Sequence, residues 1–117
     1  LVRAARELLA LGPKTLIIKK GEHGALLFQG DYIFGLPALP LSSVADPTGA
    51  GDTFAGALIG YLARHNDLSS PTLRQAVVHG SVLASFCVEG ISTERIASAQ
   101  AQEIHARVER FRKLTAF

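Results

Sequence analysis

Apolar positions along this chain follow two periods, one helical and one extended. Over residues 1–11, Val2, Ala5, Leu8 and Leu9 recur at helical spacing, and Gly12-Pro13 ends the segment. Residues 14–20 form a short apolar run with β-branched Thr15, Ile17 and Ile18, which predicts a buried strand. A helix, a short turn and a buried strand predict part of a parallel α/β sheet with that strand central. Residues 25–28 and 32–36 predict a hairpin closed by Gln29, Gly30 and Asp31, with Pro37 and Pro40 ending it. A helix is expected to start near Gly51, because residues 54–63 are almost all small or apolar. Gly56 and Gly60 lie one turn apart on it, and each costs about 0.8–1 kcal/mol against alanine. That cost predicts a close backbone contact with the sheet or with the next helix. Arg64, His65, Asn66 and Asp67 mark the end of this helix, with His65 solvated.

The next helix is expected to open at Ser70 as N-cap, with Pro71 in the first turn. Its stripe is Leu73, Ala76, Val77, Gly80, Leu83, Ala84, Cys87 and Val88, and Gly90 ends it. Residues 94–117 finish in an amphipathic helix. Ile104, Val108 and Phe111 form its stripe, and Arg107, Arg110, Arg112 and Lys113 its solvated face.

Composition narrows the class. The 117 residues suffice for one small domain with a core, and 48% hydrophobic content argues against disorder. A net charge of +2 is too small to predict a nucleic acid or membrane partner. The single cysteine, Cys87, cannot form an internal disulfide and is expected to pack as a small hydrophobe. The longest apolar run is too short to span a bilayer, and Arg3, Arg6 and Glu7 interrupt any leader-like segment. A cytoplasmic protein is expected. The chain has no methionine and starts within a helical pattern, which suggests the C-terminal portion of something longer.

Chemistry concentrates in residues 46–54, Asp-Pro-Thr-Gly-Ala-Gly-Asp-Thr-Phe. Two glycines and an alanine sit between two aspartates, and a small-residue helix follows. Such a turn lets backbone approach a ligand closely, and the first N–H groups of a helix lack internal partners. They also carry the positive end of the helix dipole, so an anion can be held there by backbone alone. Asp52 beside that seat could take a proton from an attacking hydroxyl, which is a phosphoryl-transfer arrangement. The same residues also suit an ordinary helix start with Asp52 as N-cap. The dinucleotide fingerprint fails because Phe54 stands where its third glycine should, and no Walker A pattern occurs.

These nine residues closely resemble the second signature of the ribokinase (PfkB) family of sugar and nucleoside kinases, and the likeness extends from about Gly12 to Thr93. The resemblance implies the C-terminal part of a three-layer αβα ribokinase-like fold. It implies that Asp52 is the catalytic base and contacts the acceptor, with Gly49, Ala50 and Gly51 as the anion hole. It also implies ATP-dependent phosphorylation of a sugar or nucleoside hydroxyl, with Mg²⁺ on the phosphates.

Further roles follow only from the resemblance. Lys19, Lys20, Gly21, Glu22, His23 and Gly24 match a loop that borders the ATP phosphates and ribose. Read alone, that loop is a plain turn, with one lysine inward and one solvated. His79 matches a nucleotide-contacting position; read alone it is a surface histidine near Gln75. Asp46 and Thr48, with Ser85, Val88, Gly90 and Thr93, match a monovalent-cation site such as one for K⁺, and hard oxygen ligands suit such an ion. The full-length protein could pair as a homodimer. The family's first glycine signature, its lid, its sugar contacts and its magnesium-associated motif have no counterpart here. A nucleotide-binding module without chemistry, or a fragment associating through a sheet edge, are the alternatives.

Overall fold

The computed structural model describes residues 1–90 and 100–117. They form two compact units, Leu1–Ala38 and Leu39–Phe117. No described helix is long and apolar enough to cross a membrane.

In the first unit, helix α1 (Val2–Leu9) is followed by strand β1 (Thr15–Lys19), a single 3₁₀ turn (Gly21–His23), β2 (Ala25–Gln29) and β3 (Tyr32–Leu36). The sheet order is β1-β2-β3, and both pairings are antiparallel. The hairpin is as expected. Its two-residue turn has Gly30 at φ 59°, the first-position glycine of a type II′ turn, and pairs Gln29 with Tyr32. The expected central, parallel place of β1 is not found among the described residues. Among the described residues β1 lies at the edge of the sheet, and because the five residues from Lys20 to Gly24 are too few for a parallel crossover, its pairing with β2 is antiparallel. Lys20 N–H instead closes the turn onto the Gly24 carbonyl at 2.7 Å.

Edge position also explains burial. Thr15, Leu16, Ile17 and Ile18 are only half-buried, and both Lys19 and Lys20 are exposed, so neither lysine points inward. The middle strand takes the core: neighbouring Leu27 and Phe28 are both fully buried, so both faces of β2 are covered. On α1 only Ala5 of the expected stripe is buried, while Val2 and Leu8 remain exposed.

The second unit holds α2 (Ala50–His65), α3 (Ser70–Glu89) and α4 (Ala101–Thr115). α2 and α3 pack closely through Gly80, not through Gly56 and Gly60. A β-carbon on Gly80 would meet Phe54, whereas Gly56 and Gly60 are exposed with open space around them. The N-cap of α3 is Ser69, one residue earlier than expected, with Pro71 at the second helical position. The Asp67 carboxylate organises this start, accepting from the Ser69 N–H at 3.1 Å, the Ser69 hydroxyl at 2.6 Å and the Thr72 hydroxyl. Those bonds hold its carboxyl below the usual aspartate range, the Ser69 hydroxyl first among them.

Burial on α3 spreads beyond the predicted stripe to Val82, Ser85 and Phe86, because α4 covers a second side of its C-terminal half. Arg107 leaves the solvated face assigned to it. It is buried beside Phe111 on the side of α4 that meets α3. The helix expected within 94–117 is described from Ala101 onward; residues 94–99 lie outside the described residues.

Candidate functional site

The glycine turn opens α2 as the pattern requires. Gly49 is the N-cap, left-handed at φ 84°, which only a residue without a β-carbon adopts freely. Asp52 is therefore the third helical residue, not the N-cap. It is exposed, and among the described residues nothing pairs with its carboxylate. The three backbone donors assigned to the anion seat divide. Ala50 N–H turns back onto the Pro47 carbonyl at 3.2 Å, while the N–H groups of Gly49 and Gly51 find no acceptor among the described residues. Thr53 N–H makes the first helical bond, to Gly49 at 3.0 Å. The seat thus offers the Gly49, Gly51 and Asp52 N–H groups at the positive end of a sixteen-residue helix.

The segment before the turn is fastened to the end of α3. The Val88 carbonyl, one of the four that a helix leaves without an internal donor, accepts from Ala45 N–H at 2.7 Å and Asp46 N–H at 3.2 Å. Asp46 folds over its own turn, its carboxylate accepting the Thr48 N–H at 2.9 Å. That N–H, then the Thr48 hydroxyl, hold the Asp46 carboxyl below its usual range. The Cys87 thiol donates weakly to the Thr48 carbonyl at 3.5 Å. Cys87 is otherwise the buried small hydrophobe expected.

Of the residues matched to a cation site, Asp46, Thr48 and Val88 are thus brought together. The Val88 and Thr48 carbonyls already accept hydrogen bonds there. Ser85 lies one turn back on α3 with its hydroxyl donated to Val82 O at 2.5 Å, and Gly90 is the C-cap. Thr93 lies outside the described residues. Among the described residues no three His, Cys, Asp or Glu side chains gather as a metal cage.

His79 is half-buried on α3, its ring 5.4 Å from that of Tyr61 on α2. Tyr61 in turn stacks on His65 at 4.0 Å. Burial pushes His79 below the usual histidine range, and nearby Arg64 and His65 push the same way, which favours the neutral ring. Sequence reasoning missed Tyr61. Its spacing of four from His65 was a readable signal, but its meeting with His79 needs the helix pair.

The loop matched to the nucleotide phosphates belongs to the first unit and is described there. His23 N–H bonds to Lys20 O at 2.9 Å and Gly24 N–H to Gly21 O at 3.2 Å, which leaves the Gly21 and Glu22 N–H groups without acceptors among the described residues. Gly21, at φ 56°, has open space around it. Gly24 is required by the fold itself, since a β-carbon there would meet the Leu36 carbonyl at 2.1 Å. Glu22 and His23 are exposed.

Known proteins give this arrangement its context. Residues 1–100 match the pfkB family carbohydrate kinase description. The chain is 43% identical over 65 residues to the cytidine kinase of Thermococcus kodakarensis, covering 54% of this chain and 22% of that protein. It is 38% identical over 78 residues to the aminoimidazole riboside kinase of Salmonella typhimurium, covering 67% and 24%. A solved aminoimidazole riboside kinase from Salmonella enterica, complexed with aminoimidazole riboside and an ATP analog, superposes with a TM-score of 0.77 at 30% identity, covering 92% of this chain and 35% of that one. The chain thus spans about a quarter of the length of the relatives it matches, and its fold is a part of the ribokinase-like α/β fold. On the family match and these relatives, which are sugar and nucleoside kinases, the chain belongs to the pfkB family of carbohydrate kinases.

Proposed function

We propose that this chain supplies the anion seat and the catalytic base of an ATP-dependent kinase acting on a hydroxyl of a sugar or nucleoside. The acceptor-binding part of that kinase lies outside these residues. The observation that carries the reading is that an Asp52 carboxylate and the Gly49 and Gly51 N–H groups, all without partners among the described residues, meet at one helix start. Asp52 takes the proton of the attacking hydroxyl. The Gly49 and Gly51 N–H groups hold charge on the transferring phosphoryl oxygens, with Ala50 shaping the turn that presents them.

Lys19, Lys20, Gly21, Glu22, His23 and Gly24 border the nucleotide, with the Gly21 and Glu22 N–H groups, which find no acceptor among the described residues, serving as donors. His79, its ring beside that of Tyr61, meets the base of the nucleotide. The ATP analog in the aminoimidazole riboside kinase supports the choice of nucleotide. Mg²⁺ would be carried on the nucleotide phosphates. A monovalent ion would rest on oxygens of Asp46, Thr48 and the α3 end, in competition with the hydrogen bonds those atoms already make.

The test is paired. In the full-length kinase, Asp52→Asn should cut turnover by about 10²–10⁴-fold, the usual weight of a general base. ATP affinity and thermal stability should hold, because the backbone seat is untouched. The 117-residue chain alone should bind ATP and show no turnover. Unchanged turnover in a folded Asp52→Asn enzyme overturns the assignment of the base.

A further inference from the structure

The last turn of α3 is gripped from two sides. On one side, Arg107 of α4 reaches three of its residues. The guanidinium donates to the Ser85 hydroxyl at 2.7 Å, pairs with the Glu89 carboxylate, and lies 3.8 Å over the Phe86 ring. On the other side, Val88 O holds the Ala45 and Asp46 N–H groups and the Cys87 thiol meets Thr48 O. The gripped residues interleave along one stretch of helix: 85, 86 and 89 toward Arg107, 87 and 88 toward the turn. The segment 45–48 leads directly into Gly49, so its anchor sets where the seat and Asp52 stand.

We propose that Arg107 is a positioning residue for the turn of residues 49–52, acting through the last turn of α3. A helix end is where carbonyls lack internal donors and where fraying starts. Arg107 stops that fraying with a fork of hydrogen bonds and with positive charge at the negative end of the helix. A frayed α3 end would release Val88 O, and with it the 45–46 backbone that orients the glycine turn. Sequence periodicity places Arg107 with solvated arginines; only its burial and its partners reveal the role. The consequence for phosphoryl transfer rests on the proposed function, whereas the mechanical link to the turn does not.

Amide hydrogen exchange on the 117-residue chain tests the link. The variants are Arg107→Ala, Arg107→Lys, Glu89→Gln, and Leu73→Val as a core change at the opposite end of α3. Arg107→Ala should speed exchange at Ala45 and Asp46 by about tenfold relative to Val77, the loss expected with charge-assisted hydrogen bonds. Arg107→Lys should restore part of the protection, since it keeps the charge and loses the fork. Leu73→Val should change Ala45, Asp46 and Val77 together. If Arg107→Ala does not fold, Glu89→Gln carries the comparison, because it keeps the Ser85 bond and the Phe86 stack; the same two amides should speed up by a smaller factor. Exchange at Ala45 and Asp46 that moves only in step with Val77 overturns the role of Arg107. Titration with MgATP separates the two readings: a wild-type chain that binds no MgATP counts against the proposed function, and the exchange result still decides Arg107.

Discussion

Gly80 and Phe54 touch where α3 crosses α2: a β-carbon on Gly80 would stand 2.9 Å from the Phe54 carbonyl oxygen and 3.0 Å from its ring. Backbone cannot yield as a flexible side-chain end can. Gly80→Ala should therefore destabilise the chain by about 1–3 kcal/mol, the usual cost of overpacking. Gly56→Ala and Gly60→Ala should do the reverse. Nothing described lies within 4 Å of either, and each should gain about 0.8–1 kcal/mol of helix propensity. Urea unfolding midpoints of the three variants check both signs.

Gly24→Ala should be the harsher glycine change. The new β-carbon would sit 2.1 Å from the Leu36 carbonyl with φ at 93°. The end of β3 must move, at about 3 kcal/mol, the upper end of the ordinary single-site range. Loss of near-native strand signals by circular dichroism before α-helical signals would locate the damage in the first unit.

Asp67→Ala should lower the melting temperature at neutral pH, because three donors at the start of α3 lose their acceptor. The Asp67 carboxyl titrates below the ordinary aspartate value, so its contribution is complete above that value. It is lost as pH falls through the lower, folded-state value. The gap between wild type and variant should close below about pH 4. A gap that persists in acid would show that the carboxylate charge is not what holds the helix start.

His79 predicts a second pH dependence. Its folded-state pKa is depressed, chiefly by burial, so the unfolded chain binds the extra proton first on acidification. Stability from this site is full above the ordinary histidine value, about pH 6.5. It falls as pH drops through the lower folded value. His79→Gln should flatten that part of a stability profile taken between neutral and mildly acidic pH. An unchanged profile would mean that the ring is not buried against Tyr61 in solution.

What the chain shows before its structure follows from how local each determinant is. The hairpin is legible because Gly30-Asp31 decides its turn and the flanking runs fit no helix. The end of α3 at Gly90 and the helix start after Gly49 are equally local. The antiparallel pairing of β1 with β2 is not announced by its apolar content, which does not distinguish a central strand from a half-buried edge; the short turn at 20–24 settles that pairing. The glycine contact is assigned to Gly56 and Gly60 because their helix cost is visible. The contact made by Gly80 depends on Phe54, which lies on another helix and is a neighbour in space but not in the local pattern. Arg107 fails for the same reason: its partners Ser85, Phe86 and Glu89 sit on another helix. In the site, the motif marks the helix start at which the seat is proposed, but the diversion of the Ala50 N–H to Pro47 is a backbone geometry no residue type announces.

Cys87 turns the underside of the glycine turn into a place that can be timed. It is the one thiol in the chain, it is 2% exposed, and its sulfur lies against Thr48 O and beneath Gly49. An alkylating reagent can reach it only when that contact parts, so the modification rate counts openings of the turn with no label introduced. A ligand seated on the turn would slow the reaction, and the slowing, followed by mass as concentration rises, would give an affinity from a single native atom.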